Sequence, residues 1–169
     1  MKTASNTFSI TRNFQAPIHL VFDAFSNAGA LEKWWGPIEA PIEVIKLDFR
    51  PDGIFHFKMQ GEHSSYGLFK YKEISRPNTL SWISSFADET GKIIRPPFDG
   101  IEVPREILNE VRLTENNGIT TLTLISYPVN AGKDEIETFN AIMESMKEGY
   151  GGTFDQLLEY LNAVQHEKG

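Results

Sequence analysis

Residues 134–164 constrain this chain more than any other stretch. Read at helical spacing, Ile136, Phe139, Met143, Met146, Tyr150, Phe154, Leu157 and Leu161 fall three or four residues apart. Glu135, Glu137, Glu144, Glu148, Gln156 and Glu159 turn elsewhere. At 1.5 Å per residue the pattern predicts one amphipathic helix roughly 45 Å long. Such a helix is stabilised mainly by packing its apolar face, so it needs a broad apolar surface to lie on.

The middle of the chain supplies that surface. Residues 7–14 alternate, with Phe8, Ile10 and Arg12 on one side, and read as a first strand. Ala16-Pro17 stops it, and Ile18, Val21, Phe22 and Phe25 then repeat at helical spacing. A second short helix fits residues 28–33 and is ended by Gly36-Pro37. Strands follow at 40–49, 54–60, 65–74, 79–86, 107–115 and 119–127. Arg50-Pro51-Asp52-Gly53 suits a type I turn, and Asn116-Asn117-Gly118 is a hairpin signal. Short turns between one-sided strands imply an antiparallel meander with one covered face. The order of elements reads as α+β, with helices on one side of a curved sheet. No repeat or linker divides the 169 residues, which predicts a single domain with its core at about 7–164.

Composition narrows the function classes. The chain has no cysteine, which removes disulfides, thiolate metal sites and a cysteine nucleophile together. A net charge of −7 argues against a nucleic-acid or anionic-membrane surface. No apolar run is long enough to span a bilayer, and the first residues lack a signal-peptide core, so a cytoplasmic location is expected. His19, His56, His63 and His166 show no metal-ligand spacing, and neither a phosphate loop nor a GxSxG elbow is present. No cofactor or metal is expected.

Trp34-Trp35-Gly36-Pro37, the turn at residues 50–53 and the closing run MKEGYGGTFDQLLEYL from Met146 to Leu161 form an ordered set. Together they resemble the START-like (SRPBCC, birch-pollen-allergen-like) superfamily, and within it the activator of heat-shock-protein-90 ATPase homologue family. The likeness runs from about Phe8 to Leu161. It implies a helix-grip fold: a curved antiparallel β-sheet wrapped around a long C-terminal α-helix, with two short helices after the first strand, often enclosing an apolar cavity. Two positions depart from the pattern. Asp52 stands where the first of two turn glycines is often found, and Tyr150 where a tryptophan is common. The family carries no shared catalytic set, and its members range over lipid and polyketide binders, cyclases, drug-binding resistance proteins and co-chaperone-like domains, so fold alone does not fix function.

The inward aromatic set is Trp35, Phe55, Phe57, Phe69, Tyr71, Trp82, Phe86, Tyr150 and Phe154. These residues either line a pocket for a flat or aliphatic ligand or fill an ordinary core. The expected cavity lining is Trp35, Phe57, Phe69, Tyr71, Trp82, Ser84, Asn109, Met143, Met146, Tyr150 and Phe154. Ser84 and Asn109 either orient a ligand or bond one another, the backbone or a trapped water. Gly149, Gly151 and Gly152 interrupt the helical stripe at up to about 1 kcal/mol each relative to alanine. They read as a notch for close approach, as close helix-to-sheet packing, or as a break between two helices. Glu62, His63 and Tyr66 lie near a strand junction, and a register slip of one would turn Glu110 and Glu144 inward. Such groups serve an acid–base reaction only inside the pocket; otherwise they belong to a solvated turn. The proline-rich connection at 91–104 carries Ile93, Ile94, Phe98, Ile101 and Val103, and reads as a lid, a subunit contact or a rigid edge. The leading expectation is a non-enzymatic binder of a small hydrophobic molecule, lipid- or polyketide-like, as monomer or homodimer. The alternatives are a chaperone-interacting domain and a cyclase-type enzyme.

Overall fold

The structure, a computed structural model, describes residues 6–168 except 38, 62, 63 and 99. Seven strands form one curved, unclosed antiparallel sheet in the order β1-β7-β6-β5-β4-β3-β2. They are β1 (Phe8–Phe14), β2 (Ile42–Leu47), β3 (Ile54–Met59), β4 (Ser65–Ser75), β5 (Thr79–Ala87), β6 (Ile107–Asn116) and β7 (Ile119–Pro128). Strands β2 to β7 are a meander, and β1 adds to the free edge of β7, with Phe8 opposite Ser126. Helices α1 (Ile18–Asp23) and α2 (Ala28–Trp34) follow β1. Helices α3 (Lys133–Ala141) and α4 (Met143–Lys168) close the chain. This is the helix-grip α+β architecture.

One face of the sheet carries the core. Phe55 and Phe57 of β3, Phe69 and Tyr71 of β4, Leu80 and Trp82 of β5, Val111 and Leu113 of β6 and Leu122 and Leu124 of β7 are all buried. Phe154, Leu157 and Leu161 of α4 cover that face, as the alternation and the helical stripe require. Asn27 caps α2 by accepting from the Ala30 N–H at 3.0 Å. At the start of α3 the Glu135 carboxylate accepts from the N–H groups of Gly132 (2.9 Å) and Arg105 (3.2 Å).

Four expectations need correction. The C-terminal helix is two helices, interrupted at Ile142 (φ −97°, ψ 8°), and not at the glycines. The break lets α3 stay packed on β7, with Phe139 fully buried, while α4 crosses to β1 and α2. A single straight rod could not follow a curved sheet through both contacts. Gly149, Gly151 and Gly152 lie inside α4, and a Cβ on any of them would meet nothing within 4 Å, so they mark neither a break between helices nor a point of close helix-to-sheet packing. The turn at residues 50–53 closes by the Gly53 N–H donating to the Arg50 carbonyl (2.8 Å), but Asp52 has φ +67°. That places its third residue in the left-handed region of a type II turn, not type I. Finally, His56 is buried on the outer face of the sheet, where its Nε2 donates to the Asp88 carbonyl at 3.0 Å. The connection after β5 folds back over that face. There Asp88 Oδ1 accepts from Thr90 N–H (2.9 Å), Thr90 O–H (2.7 Å) and Lys92 N–H (3.0 Å), which holds its carboxyl below the usual carboxylate range.

An apolar cleft at the tryptophan corner

The corner at residues 34–37 is built around a backbone position that favours glycine. Gly36 has φ +91°, and a Cβ there would sit 3.2 Å from Ile42 Cγ2. The turn aims its carbonyl at α4, where it accepts from Gln156 Nε2 (2.6 Å) and Thr153 Oγ1 (3.3 Å). The two tryptophans before it then divide. Trp34 is fully buried and donates its Nε1 to the Ala24 carbonyl at 2.9 Å. Trp35 is half-buried and stands edge-on to Phe69 (5.3 Å between ring centroids) and Tyr150 (6.2 Å).

Between this corner, the strands β3 and β4, and α4 lies a cleft of about 270 Å³. Its walls are Trp35, Gly36, Pro37, Phe57, Met59, Phe69, Met146, Gly149, Tyr150 and Thr153, with no charged side chain among them. A smaller space of about 160 Å³ shares Phe57, Met59 and Phe69 and is completed by Gly67, Ser84, Ser85, Phe86, Val103, Pro104 and Ile107. Val103 and Pro104 bring the 91–104 connection against this end. A wider groove of about 630 Å³ lies on the surface between that connection and α3. Its walls mix the apolar Ile93, Pro96 and Val103 with Arg95, Glu102, Arg105, Lys133, Asp134 and Glu135, so unlike the corner cleft it is as polar as it is apolar.

The expected lining residues separate accordingly. Trp35, Phe57, Phe69, Met146 and Tyr150 meet on the larger cleft, and Ser84 faces the smaller one with Phe57 and Phe69. Tyr71, Trp82, Asn109 and Phe154 are buried in the core behind them, and Met143 is half-buried at the start of α4. Trp82 stacks face to face on Phe69 at 4.8 Å, outside both lining sets. Its Nε1 has no hydrogen-bond partner among the described residues, a buried donor left unmatched. Sequence reasoning missed Gly36, Pro37, Met59 and Thr153 as wall residues, while Gly149 comes from the glycine run read there as a notch. The Trp34-Trp35-Gly36-Pro37 corner was the available signal for the first two.

Behind the cleft a polar chain crosses three strands. Asn109 Nδ2 donates to Ser84 Oγ (3.1 Å) and to the Ile107 carbonyl (3.1 Å), and Ser126 Oγ donates to Asn109 Oδ1 (2.6 Å). Burial pushes the Tyr150 phenol up to about 12, against the opposing effect of the Ser126 hydroxyl. Glu110 is ion-paired with Arg112 at 3.2 Å, and Glu144 is exposed on α4, so neither joins the cleft. Glu62 and His63 lie outside the described residues. No carboxylate or imidazole lines either space among the described residues, and no group of side chains there could hold a metal ion.

A grip of sheet and helix around an apolar cleft defines the START-like class of proteins. The chain belongs to the family described as Activator of Hsp90 ATPase homolog 1-like protein, which matches residues 15–162. Comparison with curated proteins gives no match. Among solved structures it is similar to protein Ms6760 from Mycobacterium smegmatis, at 23% identity and TM-score 0.78, covering 96% of this chain and 95% of that one. It is also similar to a protein from Arthrobacter aurescens, at 24% identity and TM-score 0.79, covering 96% and 90%. DynU16, a protein of the dynemicin biosynthetic locus, is similar at 14% identity and TM-score 0.64, covering 93% of this chain and 47% of DynU16. At these identities the likeness carries the fold. No helix among the described residues is long and apolar enough to cross a membrane.

Proposed function

We propose that the chain acts as one START-like domain that binds a small, largely apolar molecule in the cleft at the tryptophan corner. The observation that carries this reading is the 270 Å³ cleft walled by aromatic rings and methionines and free of charged side chains. Its volume falls just below the roughly 300–1,000 Å³ typical of small-molecule sites, which suits a bicyclic ligand better than a long acyl chain. Burial of apolar area would supply the affinity, at about 25 cal/mol per Å². With no carboxylate or imidazole on the described walls, the lining supplies nothing for a cyclase-type reaction. Trp35 stands on the wall in ring contact with Trp34 and Trp82, so the protein's tryptophan emission senses occupancy. Titration with a panel of bicyclic aromatics should quench or shift that emission and raise the melting temperature. A flat response across the panel on both measurements refutes the reading.

A second reading rests on the family description and on Ile93, Phe98 and Ile101, each of which is exposed on the β5–β6 connection. Exposed apolar side chains of this kind suit contact with a chaperone and need no cleft. Addition of the protein to the chaperone would then raise its ATPase turnover, and an unchanged turnover rejects the reading. Either role is compatible with the cytoplasm.

A further inference from the structure

The two spaces beside the tryptophan corner have a common wall. Phe57, Met59 and Phe69 line both, with the corner and α4 on one side and β5 with the 91–104 connection on the other. The strand register explains the smaller space. Phe57, Gly67 and Phe86 stand in one row across β3, β4 and β5, so the missing side chain of Gly67 leaves a gap between two rings. The Phe57 ring leans over the glycine, and Val103 and Pro104 help to complete the wall. Two of the three shared side chains are held by other rings. Phe69 is stacked on Trp82 at 4.8 Å and stands edge-on to Phe55 at 5.0 Å, while Phe57 is buried and stacked on Phe55 at 4.5 Å. Met59 differs from both. It is the last residue of β3, half-buried, and its unbranched side chain turns about three bonds. Beyond it the gap offers a ligand little polarity, since Ser84 Oγ donates to the Ile107 carbonyl (3.4 Å) and accepts from Asn109 Nδ2 (3.1 Å).

We propose that the two spaces are one site with Met59 as its gate, and that its ligand is a bicyclic aromatic carrying a short, unbranched alkyl tail. The inference deepens the binding reading and rests on it. The ring system occupies the larger cleft. The tail passes Met59 and ends in the gap over Gly67, among Phe86, Val103 and Ile107. The two volumes, about 270 and 160 Å³, together fall within the roughly 300–1,000 Å³ of small-molecule sites, where the larger alone falls short. A tail ending in a carboxylate finds no cation on the described walls of the gap to offset its desolvation.

Two ligands and three variants separate the outcomes. 2-Methylnaphthalene tests the larger cleft alone, and 2-pentylnaphthalene adds four methylenes, each giving about a fourfold gain in affinity when buried. Calorimetric titration of protein into dilute ligand gives the ratio of the two affinities. In the parent protein the pentyl compound should bind roughly thirtyfold tighter, short of the full gain because Met59 must give way and the tail is ordered. Met59→Ala removes the gate and should raise that ratio about fivefold. Met59→Ile stiffens the gate through its branched β-carbon and should lower the ratio to about three. Val103→Phe, which narrows the far end of the gap, should lower it likewise. Because each readout is a ratio within one folded protein, a general loss of stability does not imitate it. A parent ratio near one, or a ratio that none of the three substitutions moves, overturns the proposal, while binding of 2-methylnaphthalene keeps the larger cleft as the site. Failure of both ligands overturns both readings.

Discussion

Gly67 offers the sharpest test of how the cleft is built. It stands opposite Phe57 in the β3–β4 register, and a Cβ placed on it would lie 2.4 Å from Phe57 Cζ and 2.8 Å from Cε2. The Phe57 ring therefore rests over a residue that has no side chain, a close approach of the kind that explains glycine inside a strand. In Gly67→Ala the ring must retreat by roughly 1–1.5 Å to reach ordinary carbon–carbon contact. The open space beside it is the pair of clefts that Phe57 helps to wall. Because the obstructing atoms are the far end of a side chain, the backbone need not move. Replacing a mid-strand glycine also recovers about 0.5–1 kcal/mol. Folding stability should thus change by less than about 1 kcal/mol in urea unfolding. Ligand binding should suffer instead: loss of ~40 Å² of buried ligand surface at about 25 cal/mol per Å² is ~1 kcal/mol, roughly a fivefold weaker Kd. Unfolding and naphthalene titration on the same preparation decide the matter. A stability loss above about 3 kcal/mol would show that the ring has nowhere to go. Unchanged stability with unchanged binding would show that the space beside Phe57 does not hold the ligand.

Other substitutions probe the frame. Gly152→Ala, on an exposed helical position with open space around it, should stabilise the protein by about 0.5–1 kcal/mol with no change in ligand affinity, measured by urea unfolding. Gln156→Ala removes the 2.6 Å bond to the Gly36 carbonyl and should cost about 1 kcal/mol of stability while weakening binding at the corner, read by calorimetric titration. The Tyr150 phenol titrates at about 12 when folded against an ordinary 10.0, so above pH 10 the unfolded chain loses its proton first. Stability attributable to Tyr150 is then complete below pH 10 and is lost as the pH rises through about 12, by at most about 1.4 kcal/mol per pH unit. Denaturation followed from pH 8 to 11.5 should show this decline, shallower in Tyr150→Phe, with buried Tyr71 shifted in the same direction and contributing to what remains.

Much of the fold could be read from the chain because its signals are local. Alternating residues bounded by Pro, Asn and Gly place the strands, and Asn117 and Gly118 adopt the positive φ values (+54° and +82°) that a type I′ hairpin demands. The break at Ile142 was not legible, since no Gly or Pro marks it and its cause is the curvature of a sheet made elsewhere. The glycines of α4 misled as a sign of a helix break or of close packing, for the space over them is open and Gly149 stands on the cleft wall. At the site, pattern alone could not divide Trp35 from Trp82, because both are aromatic residues on an inward side. Only the stack of Trp82 behind Phe69 separates them. The bonds from Gln156 and Thr153 to Gly36 join residues 120 and 117 positions apart, which no short-range pattern records.

The placement of β1 has a consequence for synthesis. Thr11 and its partner Thr123 are 112 residues apart, so the strand of this sheet that is made first is the last that can be paired. The β2–β7 meander can assemble from neighbouring hairpins while the outer edge of β7 stays open. Until β1 docks, that edge is a template for another chain, and the interval is the period of greatest aggregation risk. Docking also brings Phe8 onto the Tyr150 ring at 5.8 Å. Closing the sheet and setting the aromatic wall of the cleft are one event, so a chain that has not sealed its edge has not finished its site.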